Sequence, residues 1–184
     1  MKPIDLLPAL ACALLLMVPQ TGQSQRYKSV ESYAHFFSSA PMEDIEASNE
    51  DGQSAFDLET GEIVFSIPIT SFIFEKSLMQ EHFNENYMES EKYPKSTFRG
   101  KILDYNPEVT TTQKAKAKGT LSIHGVDQEV EVDGEIILAG NTAEINAKFP
   151  VALKDYKIKI PKVVFYNIAE VVDVTVKFSY EKIN

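Results

Sequence analysis

Between residues 172 and 181 the chain alternates without a fault. Val172, Val174, Val176, Phe178 and Tyr180 are apolar, and Asp173, Thr175, Lys177, Ser179 and Glu181 are polar. A strand turns successive side chains to opposite faces, so this run has one apolar face and one wet face. A helix of the same ten residues would scatter the apolar groups around its circumference. The stretch therefore commits the C-terminal region to a sheet covered on one side. The pattern recurs at Ile63, Phe65, Ile67 and Ile69, and at Val126, Val130 and Val132, where Glu129, Glu131 and Asp133 face outward. Residues 97–105, 115–124, 136–138 and 142–153 read as further strands. Turn signals stand between them at Glu59-Thr60-Gly61, Asn106-Pro107, His124-Gly125 and Ala139-Gly140-Asn141. Short antiparallel strands at such spacing predict a barrel or sandwich rather than a parallel sheet.

One stretch departs from this pattern. In residues 76–90, Met79, Phe83 and Tyr87 recur every four positions with Leu78 and His82 beside them, which is a helical stripe. Ser77 is placed to cap it, and Pro94 lies beyond its end. The plain expectation is a helix packed on the sheet. No repeat of 20–50 residues is visible.

The start of the chain reads as an address. Residues 6–18 form an uncharged run after Lys2, too short for a bilayer core that takes roughly 20 helical residues. The length suits a signal peptide over residues 1–24, with Gly22 and Ser24 offering cleavage before Gln25. The single cysteine, Cys12, lies inside this run, so the mature chain would have none and no disulfide framework. Its stability must then come from its core. The 27 acids against 18 basic residues give a net charge of −9, which argues against a nucleic-acid partner. That excess is local. Residues 41–75 hold nine acids and no Lys or Arg, leaving eighteen acids against eighteen basic residues elsewhere.

Catalytic chemistry is sparse. The chain has no G-x-S-x-G elbow, no phosphate-binding loop and no dinucleotide fingerprint, and without cysteine in the mature chain thiolate chemistry is excluded. His82 and Glu85 share one face of the predicted helix and, with His124, could make a metal-binding triad for hydrolysis. The simpler reading of His124 is a turn histidine bonded to nearby backbone. The acidic pairs lie in a solvated segment, which does not push two carboxyl pKa values apart as acid–base catalysis needs. What remains is apolar: Phe65, Phe72, Phe74, Leu78, Met79, Phe83, Phe98, Leu121, Ile123, Phe149, Phe165 and Phe178. A barrel of about eight strands can fill itself with such side chains or hold one small ligand.

The run S-F-I-F-E-K-S-L-M-Q-E-H-F at residues 71–83, then Y-M-E-S-E-K-Y-P-K-S-T-F-R-G-K-I at 87–102 and G-T-L-S-I-H-G-V at 119–126, resembles the YceI-like family. The match is close over residues 54–138, with Tyr93-Pro94 and Thr97-Phe98 in the family's "YP-x-x-T-F" strand and Ser122 where Thr is usual. The opening departs. Where the family has W-x-[IL]-D-x-x-H-S, this chain has Val30-Glu31-Ser32-Tyr33-Ala34-His35-Phe36-Phe37. The resemblance implies an all-β, antiparallel, lipocalin-like extended β-barrel spanning residues 25–184, with one short helix (about 77–90) covering it. It also implies a secreted or periplasmic protein that holds an isoprenoid or fatty-amide chain in an apolar interior, without catalysis or cofactor. The resemblance implies a ligand-binding wall of Phe65, Ile67, Phe98, Leu121 and Ile123, with Leu78, Met79 and Phe83 on the helical segment; Phe72 and Phe178, from the apolar set, complete the expected ligand-binding residues. The expected partner is an amphiphilic lipid or isoprenoid, with no nucleic acid and no membrane span; monomer and homodimer both stay open. A structural or interaction barrel with a solid core, and a metal-dependent hydrolase using His82, Glu85 and His124, are the alternatives. Lys148, Lys154, Lys157, Lys159 and Lys162 around Tyr156, Ile158 and Ile160 read as an edge strand guarded by lysines, or as a cationic rim for an anionic head group.

Overall fold

The alternation near the C-terminus has its physical result in β10 (Val171–Ile183), where Val172, Val176, Phe178 and Tyr180 are buried. The computed structural model describes residues 25–161 and 168–183, so the expected presequence, Lys162 and Phe165 lie outside the described residues. Seven more strands share this inward face: β1 (Arg26–Ser39), β3 (Gln53–Asp57), β4 (Glu62–Pro68), β6 (Lys95–Leu103), β7 (Gln113–Ile123), β8 (Val126–Ala139) and β9 (Thr142–Ala152). They pair antiparallel in the order β10-β9-β8-β7-β6-β4-β3-β1, and β1 pairs back onto β10 from Arg26↔Ile183 to Phe37↔Asp173. The result is a closed eight-stranded barrel, in which each strand has a neighbour on both sides. β1 is divided on its other side. Arg26 to Lys28 pair with β3, whereas Ala34 to Ser39 pair with β2 (Asp44–Asn49), which carries the two-residue β5 (Ile73–Phe74).

Glycines set two close approaches. Gly100 and Gly119 are partners across β6 and β7, and a Cβ on either would strike the facing backbone. Without side chains there, the two strands close up and the Phe98 ring lies across Gly100. The β7–β8 hairpin turns on His124 (φ 52°) and Gly125 (φ 70°), with a Cβ on Gly125 blocked by the Tyr93 ring. Positive φ at both central residues is the turn whose twist matches the flanking strands.

Three expectations need correction. β2 and β3 arise in the earlier part of the acidic segment, residues 44–57, where no strand was expected. Lys148 lies in β9, but the lysine-rich stretch over residues 153–161 is not a strand: Leu153–Tyr156 form a 3-10 turn ending at Lys157 in left-handed geometry (φ 57°), which buries both Tyr156 and Ile158. The helix is shorter and differently capped. α1 (Ser77–His82) starts after Lys76, without a side-chain cap from Ser77, and continues as a π-turn over Phe83–Tyr87, closed by Met88 N–H to Phe83 O at 2.8 Å. No helix among the described residues is long and apolar enough to cross a membrane.

Candidate functional site

The barrel interior has two halves. At the end where β1 begins, aromatic rings fill it. Tyr27 and Phe56 lie 6.3 Å apart, Phe56 and Tyr180 6.3 Å, Phe56 and Tyr105 6.0 Å, and Ile63, Ile102, Ile136 and Ile145 close around them. The hydroxyls at this end are bonded. Tyr27 donates to Gly140 O (2.8 Å) and Tyr105 to Leu58 O (2.7 Å), while the Tyr180 hydroxyl lies 2.7 Å from Ser54 Oγ, which itself donates to Val64 O. Burial drives the Tyr180 phenol far above its ordinary range, and the Ser54 bond opposes that shift only in part.

At the barrel's midpoint Phe65 is stacked on Phe98 (5.3 Å) and on Phe178 (5.8 Å). Beyond Phe65 the packing stops and a cavity of about 470 Å³ begins. Its wall is formed by Ala34, Ile67, Leu121, Ile123, Phe149, Val151, Val172, Val174 and Val176, all inward positions of their strands. Leu78, Met79, Phe83, Tyr87 and Met88 lie across the other side, and the exposed Leu78, Lys76 and His82 mark where the cavity opens. Four rings bind this cover to the barrel. Phe83 lies 5.5 Å from Phe36, 5.5 Å from Phe72 and 5.0 Å from Phe74.

The π-turn explains how three residues spaced by four reach one cavity. An α-helix advances about 40° too far over four residues. The wider i→i+5 turn rotates back by a similar amount, so Met79, Phe83 and Tyr87 all stay on the lining.

Polar groups gather at the rim. Lys76 Nζ lies 2.6 Å from Glu43 Oε1, and this hydrogen bond raises the lysine pKa. His35 Nε2 lies 3.0 Å from Glu46 Oε2. The acidic segment and the lysine-rich stretch border the same cavity, through Glu43 and Ile45 on one side and Leu153 and Ile158 on the other. Lys154, Lys157 and Lys159 are exposed and outside the lining, so they form no cationic wall.

Of the ten residues expected to hold a ligand, the structure places Phe65, Ile67, Phe72, Leu78, Met79, Phe83, Leu121 and Ile123 on the lining. Phe98 and Phe178 stand behind Phe65, in the filled half. Ala34, Phe36, Val172, Val174 and Val176 were not anticipated. The alternation of β10 carried the signal for the three valines; Ala34 and Phe36 lie on the strand where the chain departs from the family pattern. The metal triad is not assembled. His82 stands at the rim and Glu85 is exposed, but His124 is engaged elsewhere, with Nδ1 3.1 Å from Tyr156 O and its ring edge-on to Tyr93 at 4.6 Å. Among the described residues no three His, Cys, Asp or Glu side chains gather as a metal site would require.

The model of the YceI-like domain matches residues 25–180. The chain belongs to the YceI-like family. Similar solved structures include a polyisoprenoid binding domain from Saccharophagus degradans implicated in plant cell wall breakdown, at TM-score 0.74 and 16% identity, covering 85% of this chain and 98% of that one. BcnA of Burkholderia cenocepacia aligns at TM-score 0.68 and 17% identity, covering 80% and 95%. The YceI protein of Campylobacter jejuni aligns at TM-score 0.52 and 19% identity, covering 70% and 78%. At these identities the likeness is one of fold. A search of curated proteins returns no match. For a YceI-like barrel the expected all-β, antiparallel architecture with a single short helix is what the structure has.

Proposed function

We propose that this YceI-like protein is a non-catalytic carrier that holds one amphiphilic lipid or isoprenoid, its tail in the cavity and its polar head at the rim. The observation that carries the reading is the cavity itself. About 470 Å³ of apolar space lies inside a barrel whose other half is packed solid, and this volume is within the usual range for ligand sites. An apolar tail placed there removes its surface from water at roughly 25 cal/mol per Å². The Saccharophagus degradans neighbour, named for polyisoprenoid binding, supports the choice of ligand class. Native mass spectrometry of protein purified from its own cells tests this. The expected result is an adduct that yields an extractable apolar molecule on denaturation; repeated ligand-free spectra from cells rich in envelope lipid would count against it. Residues 1–24 are proposed to be a cleaved signal peptide that directs the carrier to the periplasm or outside the cell. N-terminal sequencing of that protein should then begin at Gln25, and an intact Met1 would oppose it.

A further inference from the structure

We infer that Phe65, held between Phe98 and Phe178, gauges tail length, so that the cavity takes a tail of about 15 carbon atoms in preference to a long polyprenyl tail. This rests on the carrier reading above.

The cavity is blind. Phe65 forms its floor, stacked 5.3 Å from Phe98 and 5.8 Å from Phe178, and Phe178 is in turn 6.1 Å from Tyr180, which is 6.3 Å from Phe56. The ring column thus runs on from the floor into the filled half and leaves no passage past it. Space above the floor is limited. A group of water's size takes roughly 30 Å³, so about 470 Å³ admits about 15 non-hydrogen atoms. A longer tail must leave by the rim, where Glu43, Lys76 and His35 replace apolar wall. Phe98 and Phe178 are 5% and 3% exposed, whereas Phe65 is only partly buried because its ring borders the cavity. The floor is therefore a single side chain backed by two fixed ones, and replacing it deepens the cavity without opening the barrel wall.

The test is a chain-length series. Geraniol, farnesol, geranylgeraniol and solanesol, with two, three, four and nine isoprene units, are titrated against full-length mature protein loaded with the neutral dye N-phenyl-1-naphthylamine. For the wild type, affinity should rise by about a hundredfold from geraniol to farnesol, as burial of a further isoprene unit implies. It should change by less than about threefold beyond farnesol, since added units find no apolar wall. In Phe65→Ala the rise should continue to geranylgeraniol. Phe65→Leu, which keeps an apolar floor, should show a smaller extension if the alanine variant does not fold. A steady rise through solanesol in the wild type overturns the gauge, as does an unchanged break point in either folded variant. Dye that no prenyl alcohol displaces from the wild type overturns the carrier reading, and the gauge with it.

Discussion

The two halves of this barrel share the same eight strands and the same inward alternation, yet one is solid and the other hollow. The difference lies in which side chains occupy the inward positions. In the filled half, Tyr27, Phe56, Tyr105 and Tyr180 span the interior, and the three tyrosine hydroxyls find backbone or Ser54 partners. In the hollow half the corresponding strands carry Ala34, Val172, Val174 and Val176, which are too short to meet across it. A barrel of this strand number is just wide enough for either outcome. The interior is filled in one half and open in the other.

The comparison can be broken by substitution. The largest effect is expected at Tyr180, which is 1% exposed. Tyr180→Ala removes a central ring and should cost about 3–5 kcal/mol in urea unfolding. A much smaller loss would mean that the filled half is not the stabilising one. Next is Ser54→Ala, which strands the Tyr180 hydroxyl and removes a side-chain donor from Val64 O; about 1–3 kcal/mol is expected by the same measurement.

Alkaline titration addresses the same half as a whole. Burial raises the phenol pKa values of Tyr27, Tyr105 and Tyr180. The folded chain therefore keeps protons that the unfolded chain releases, so stability is intact below the ordinary phenol range and falls as pH rises through and beyond it. Phenolate absorbance from these tyrosines should grow together with loss of the circular-dichroism signal of the sheet. Full ionisation with the sheet intact would contradict their burial.

At the hollow end the balance reverses. Phe83→Ala should lower stability by only about 1 kcal/mol while weakening dye binding about tenfold or more, because its half-buried ring covers the cavity. A stability loss as large as that of Tyr180→Ala would make the cover part of the core. Smallest of all is Glu43→Gln. It removes an exposed ion pair with Lys76 and should leave the melting temperature unchanged by calorimetry.

The sequence made the sheet legible where alternation was strong, as in β4, β7, β9 and β10, and made the cover legible through the spacing of Met79, Phe83 and Tyr87. β2 and β3 were hidden because their inward positions include Ala47, Asn49 and Ser54, side chains that do not register as an apolar stripe. Asn49 is buried for its bonds, donating to Pro68 O and accepting from Asp51 N–H, rather than for apolarity. The lysines around Tyr156 imitated a strand, since a 3-10 turn that sends Tyr156 and Ile158 inward also leaves alternate lysines outside. The division of the interior was not legible at all. Phe65, Phe98 and Phe178 look alike as residues, and only their register across β4, β6 and β10 decides which one faces open space.

The closure of β1 on β10 has a practical meaning for anyone who handles the protein. Because Arg26 pairs with Ile183, both ends of the folded barrel emerge beside the filled half, while Ser38 and Val172 stand at the cavity. A fluorophore, a surface tether or a fused partner attached near Arg26 or Ile183 would project from the end opposite the opening. Immobilised by either end, the barrel would present its opening to whatever flows past.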